Sequence, residues 1–197
     1  ALAPRWLRLP VDERVYSDGN VLKPVNRADI ERAVEAMRKE GVTSVAVAFL
    51  HSYVNPANEQ ETAQILNELA PDLAVTISSD VLPQIKEFER TSTTVVNAYV
   101  KPLAQRYLAN LDKGLKDSGY TAPLHIMLSN GGLGSTKTAG DFPIRLIESG
   151  PVAGAIVGRQ LAELMNIQDV LSFDMGGTTA KACLIRDQAL PITDELE

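Results

Sequence analysis

An acid at the end of an apolar strand, followed at once by glycines and hydroxyls, is the part of this sequence best equipped for chemistry. It reads Ser-Phe-Asp-Met-Gly-Gly-Thr-Thr-Ala-Lys-Ala-Cys over residues 172–183. Val170, Leu171 and Phe173 form an apolar run that reads as a buried strand, Gly176 and Gly177 a turn, and Ala182 to Ile185 a returning strand. A glycine turn can aim several peptide N–H groups at one anion. Asp174 can hold a hydrated magnesium ion, and Thr178 or Thr179 can donate to phosphate oxygens. The same pattern also suits a plain hairpin with an acid before its turn. No G-x-x-x-x-G-K-[ST] string occurs, so the chain has no Walker loop.

The elements that must position this corner are legible from periodicity. Ser17-Asp18-Gly19-Asn20 predicts a hairpin within Arg14 to Val25. Asn26 can cap a helix whose Ile30, Ala33, Val34 and Met37 share a face and which Gly41 can close. Val42 to Leu50 reads as a strand covered on both sides. A helix from Asn55 and Pro56, with Thr62, Ile65, Leu66 and Leu69 inward, leads to a strand at Leu73 to Ile77. Strand, helix, strand predicts a parallel pair, so the first half is an α/β layer. From Thr91 to about Lys116 a helix follows, with Val96, Val100, Leu103, Tyr107 and Leu111 as its buried stripe and a kink or restart at Pro102. Leu124 to Leu128 is a further strand, ending in the turn Ser129-Asn130-Gly131-Gly132, and a helix runs from Pro151 to Met165. A weak boundary lies around Ser79 to Pro83.

At 197 residues the chain can bury a full core. A net charge of −6 without a dense basic run argues against nucleic acid or an anionic membrane as partner. One cysteine, Cys183, and two histidines, His51 and His125, exclude a disulfide framework and a histidine-rich metal centre. No stretch approaches the ~20 apolar residues of a membrane span, and a cytoplasmic setting is expected. The sequence opens without Met and reads as an internal piece of something longer.

Three turns end apolar strands and could line one cleft: Ser78-Ser79-Asp80, Ser129 to Gly132, and Asp174 to Thr179. An ordinary polar turn is the competing reading for the first two. Gly154 and Gly158 share one helix face, and since interior glycine costs about 1 kcal/mol against alanine, close approach of another backbone is expected there, at a hinge or in simple packing. The run Lys86 to Ser92 reads as a solvated helix start, with Glu89 or Arg90 facing a polar substrate as the alternative. His51 is a candidate acid or base, or a hydrogen-bonded structural histidine.

Taken together, several strings resemble the hydantoinase/oxoprolinase family, within the acetate kinase, sugar kinase, Hsp70 and actin superfamily. They are His51-Ser52-Tyr53 with Asn55-Pro56, Val81-Leu82-Pro83, the segment from Glu89 to Val100, Ser129 to Gly132, Ser149-Gly150-Pro151 and Ser172 to Thr178, in family order. The resemblance implies an α/β fold, a parallel or mixed sheet with flanking helices, forming part of an actin/hexokinase-like ATPase fold. It implies residues 1–82 as the later part of the family's N-terminal region and 83–197 as the start of its main domain.

The activity implied is ATP-dependent hydrolysis of a cyclic amide (hydantoin, N-methylhydantoin or 5-oxoproline) through phosphorylation of the amide carbonyl. A subunit of an acetone or acetophenone carboxylase and a non-catalytic scaffold are the alternatives. ATP and magnesium are the implied cofactors, with Asp174 as the catalytic and metal-positioning acid and Gly150, Gly176, Gly177, Thr178, Thr179 and Lys181 at the nucleotide. A second, B-type subunit or fused domain and a homo-oligomer are the implied partners. The family's earlier glycine-rich hairpin has no counterpart in residues 1–60, so the chain alone is expected to be inactive. Lys181 stands where many members carry an acid; it either binds phosphate or marks a subgroup with another substrate.

Overall fold

Residues 3–191 are described by the structure, a computed structural model. They pack as two units, one reaching Lys113 and taking in Gly140–Ile144, the other made of Gly114–Ala139 and the chain from Arg145 onward. The first unit opens with a 3-10 turn at Arg5–Leu7 and an antiparallel hairpin, β1 (Arg14–Val15) and β2 (Val21–Lys23). Its turn forms as the sequence predicts. Gly19 takes φ +87°, and the Asp18 carboxylate accepts from the Asn20 backbone N–H at 2.9 Å and side-chain amide at 2.8 Å. These bonds, the backbone one foremost, hold Asp18 below the usual carboxylate range.

Helix α1 (Arg27–Lys39) starts at Asn26, whose side chain accepts from the Ala28 N–H at 3.0 Å, and buries Ile30, Val34 and Met37. Loss of an N-cap side chain costs about 1 kcal/mol, so Asn26→Ala is expected to lower stability by that amount in chemical denaturation; an unchanged midpoint would show the cap to be idle. Strand β3 (Ser44–Val47), helix α2 (Ala57–Leu69) and strand β4 (Ala74–Ile77) form the expected crossover, with β3 and β4 paired in parallel from Ser44↔Ala74 to Val47↔Ile77. Ile30, Val34, Met37, Val47, Ile65, Leu66, Leu73 and Ile77 make the core between α1, α2 and this pair.

A one-turn helix α3 (Ser78–Val81) follows, then α4 (Glu87–Asp117). Three expectations about α4 are corrected. It begins at Glu87 rather than Thr91, and it continues past Pro102 as one helix, with no new segment starting there. Its buried face is not the apolar stripe: Leu103 and Tyr107 are 67% and 64% exposed, while Arg90, Thr94, Asn97, Ala98 and Leu108 are buried. The reason lies in the partners of that face. Asn97 donates to the Asp141 carbonyl and accepts from the Ile144 N–H, each at 3.1 Å, and Lys101 donates to the Val75 carbonyl at 2.9 Å. With the Gln105 amide donating to Asp141 Oδ1 at 3.4 Å, side-chain bonds anchor the helix on both sides of Pro102 and offset the cost of its missing N–H. Arg90, expected on a solvated helix start, is the largest fully buried side chain among the described residues, at 1% exposure.

In the second unit, β5 (His125–Met127) pairs antiparallel with β6 (Leu133–Ser135), a strand that periodicity did not reveal because Gly134 interrupts it. Helix α5 (Thr136–Asp141) and a 3-10 turn (Pro143–Leu146) precede α6 (Ser149–Met165), β7 (Val170–Met175) and β8 (Ala180–Ile185). Strands pair only two by two among the described residues, so the sheets are small. No helix among these residues is long and apolar enough to cross a membrane.

Helix α6 packs across the β7–β8 hairpin through its glycine face. A Cβ on Gly158 would lie 3.4 Å from Ile185 Cδ1 and 3.6 Å from Ser172 Cβ, and one on Gly154 would lie 3.9 Å from Ser172 Oγ. The close neighbours are side chains, not the backbone expected, and they leave room for a methyl group. Gly158→Ala is therefore expected to be neutral or to gain up to about 1 kcal/mol from helix propensity, whereas Gly158→Leu should lose stability by overpacking against Ile185. Thermal unfolding of the two variants checks this; a strongly destabilised alanine variant would refute it.

Candidate functional site

The β7–β8 hairpin has the register Asp174↔Lys181 and Met175↔Ala180, which puts Asp174 and Lys181 side by side at the end of the ladder. Side chains alternate between faces, so Ser172, Asp174, Lys181, Cys183 and Ile185 share the α6 side, and Leu171, Phe173 and Met175 point the other way, where Leu171 and Phe173 are exposed rather than buried as expected. The turn is closed by the Gly176 N–H donating to the Thr179 carbonyl at 2.9 Å. Neither Gly176 nor Gly177 takes a positive φ. A Cβ on Gly177 would meet nothing within 4 Å, and residues Asp174 to Ala180 are all exposed. The corner is accessible backbone.

Gly150 belongs to the same unit, in the first turn of α6, and a Cβ there would likewise meet nothing within 4 Å. The helix starts without a side-chain cap, so its first N–H groups and the positive end of its dipole are left for an anion. Its N-cap, Glu148, adopts the left-handed conformation at φ +65°, uncommon for a non-glycine residue. The Glu148 carboxylate pairs with the Lys181 ammonium, the two side chains about one-third exposed. This pair ties the hairpin to the start of α6. Glu148 was the member of the site that sequence reasoning passed over; its backbone strain is visible only in the fold.

The turn Ser129 to Gly132 also reaches α6: Gly131 has φ +82°, and a Cβ there would stand 3.0 Å from Ile156 Cδ1. The segment Ser78 to Asp80 is not a turn but the helix α3, within the first unit. Ser78 is fully buried, donating to Glu59 Oε1 at 2.6 Å, and the Ser79 N–H donates to Glu59 Oε2 at 2.8 Å. Of the charged run, Arg90 serves this interior and Glu89 is exposed. His51 has φ +59° and its ring centroid lies 6.1 Å from that of Tyr53, and its Nδ1 is buried without a hydrogen-bond partner.

Magnesium fits this corner in one mode. No group of three or more His, Cys, Asp or Glu among the described residues could hold a metal alone. A single carboxylate such as Asp174 suits an ion that keeps its waters and is carried on phosphate oxygens.

A sequence profile of hydantoinase/oxoprolinase matches residues 90–197, and one of the hydantoinase/oxoprolinase N-terminal region matches residues 1–70. An uncharacterized protein of Methanocaldococcus jannaschii is 40% identical over 196 residues, covering 100% of this chain and 29% of that protein. The caprolactamase subunit alpha of Pseudomonas jessenii is 37% identical over 178 residues, 90% of this chain and 26% of its own length. The crystal structure of ATP-dependent caprolactamase from that organism superposes with a TM-score of 0.85 at 36% identity, covering 94% of this chain and 27% of that one. Nucleotide-free acetone carboxylase superposes with a TM-score of 0.79 at 27% identity, over 90% of this chain and 25% of that one. The chain spans 25% to 29% of the length of these proteins. Its α/β fold is part of the actin/hexokinase-like ATPase fold shared with the two solved structures.

Proposed function

The chain belongs to the hydantoinase/oxoprolinase family, and on that premise we propose that it forms part of an ATP-dependent enzyme that opens a cyclic amide of the hydantoin, 5-oxoproline or lactam class. One observation carries the reading: Asp174, the open glycine turn and the uncapped start of α6 are gathered in one unit, with the Glu148–Lys181 pair bridging them. In this scheme the amide oxygen attacks the terminal phosphorus of ATP and the bond to ADP breaks. Water then adds to the activated carbon and the C–N bond breaks, leaving a ring-opened amino acyl phosphate, which a second water hydrolyses to phosphate and an amino carboxylate. Phosphorylation turns a poor electrophile into one that water can attack.

Peptide N–H groups at Gly176 and Gly177, with the Thr178 and Thr179 hydroxyls, bind phosphate oxygens, and the Gly150 N–H does so from the helix start. Lys181 joins them only by exchanging Glu148 for phosphate, so this pair orients the lysine in the meantime. Asp174 positions a phosphate-borne magnesium ion, which offsets charge developing on the phosphates. A partner subunit fits this reading, since the Pseudomonas relative is a subunit by name.

The likeness to acetone carboxylase favours a second reading, a carboxylase subunit in which bicarbonate replaces the cyclic amide as the activated oxygen compound. The test is an assay of the whole protein, with its partner subunit, against 5-oxoproline, hydantoin and caprolactam, and separately against acetone with bicarbonate, each with ATP. ADP release coupled to a ring-opened acid is expected. Release with ketone and bicarbonate alone establishes the carboxylase, and release with neither refutes both. The chain by itself is expected to show no cyclic-amide-dependent ATP hydrolysis.

A further inference from the structure

In the first unit, the outer edge of β4 floors an open cavity of about 430 Å³ walled by Asn67, Asp80, Lys101, Gln105 and Asp141. Thr76 lines it, is only 5% exposed, and has a buried Oγ1 with no hydrogen-bond partner. A buried hydroxyl without a partner is a standing cost, and one that lines a cavity is satisfied by whatever enters. Lys101 stands over the strand edge, bonded to the Val75 carbonyl. In a parallel pair the N–H and C=O of a residue point to the same side, so the Val75 N–H faces that edge too. No third strand pairs with β4 among the described residues.

The lysine on the edge argues against an added strand, because a charged side chain there blocks the ladder. A small ligand is the remaining occupant. The cavity offers it a cation and donors beside an acid: Lys101, Thr76 and the Val75 N–H next to Asp80. Burial raises the Asp80 carboxyl pKa, Glu59's charge adds to this and Lys101 opposes it.

We propose that this cavity binds a small amino carboxylate, its carboxylate held by Lys101, Thr76 and the Val75 N–H and its ammonium by Asp80. Opening a cyclic amide produces a molecule of that class, which makes the cavity a product or feedback site. Only that last link rests on the proposed function; the ligand class follows from the groups in the cavity.

Calorimetric titration of the full chain with 4-aminobutanoate, against butanoate and butylamine, tests it without ATP or turnover. The amino carboxylate is expected to bind saturably and at least about tenfold more tightly than either one-headed control, and Lys101→Met and Asp80→Asn should each weaken it by about tenfold. Asp80→Asn keeps the side chain's shape, so the result does not depend on how Lys101→Met folds. Equal binding of butanoate, no saturation below about 10 mM, or unchanged binding by Asp80→Asn would overturn the inference. None of these results bears on ring opening, and an enzyme inactive on cyclic amides would leave a positive titration intact.

Discussion

Arg90→Met is expected to destabilise the first unit by roughly 3–5 kcal/mol, the loss typical of breaking a buried charged network from one side. The Arg90 guanidinium donates to the Gln84 and Phe49 carbonyls at 2.8 Å each and, through Nε, to Ser78 Oγ at 3.2 Å, and it lies 5.5 Å from the centre of the Tyr53 ring. Ser78 has one proton, committed to Glu59 at 2.6 Å, so it accepts from both Arg90 and Ser52. Glu59, with no exposed surface, also accepts from the Phe49 and Ser79 N–H groups at 2.8 Å. Removing Arg90 leaves two carbonyls without this donor and a buried carboxylate without the cation linked to it through Ser78.

Arg90→Lys should recover only part of the loss, since one ammonium cannot reproduce three donors in a planar fork. In the double variant with Glu59→Gln the two losses should be well short of additive, because the charge left uncompensated by one change is removed by the other. Urea denaturation measures all three. A loss under about 1 kcal/mol for Arg90→Met would show that the network contributes little to stability.

Asp174→Asn in the whole enzyme is expected to lower ATP-dependent ring opening by at least about a hundredfold while leaving the melting temperature nearly unchanged. The asymmetry follows from its place. Asp174 is exposed at the end of the hairpin ladder, asparagine has the same shape, and the strand register is set by the backbone and by Ser172 and Ile185 against α6. What the change removes is the charge that would hold a hydrated cation against phosphate. Measuring turnover across a magnesium titration separates the roles, since weakened metal binding is rescued by excess magnesium and lost orientation is not. Turnover within a few-fold of the parent would remove Asp174 from the mechanism.

How far these residues could be read in advance depended on the reach of the forces that place them. Asn26 and Asp18 bond within two residues of themselves, and α1 and α2 bury the stripes their spacing predicts, so the order of elements in the first unit and the parallel β3–β4 pair were legible. The Asp174 to Thr179 corner was legible for the same reason, a strand end and a turn being local events. Helix α4 was misread because hydrophobic periodicity assumes that polar residues face water. Its polar face turns inward onto carbonyls at positions 49, 75 and 141, while Leu103 and Tyr107 stay outside. Pro102 misled similarly, since its local cost is offset by bonds that no window around it contains.

The amino-acid sequence by itself determined the α/β class, the main elements and the chemical types available at residues 172–181, because periodicity, capping and turn formation act over a few residues. Only the tertiary structure decided that Arg90 and Glu59 are interior, that Lys181 meets Glu148 across 33 positions, and that Thr76 is left with an unanswered hydroxyl. A buried polar group is stable only where a distant partner meets it, and distant partners are chosen by the packing of whole elements.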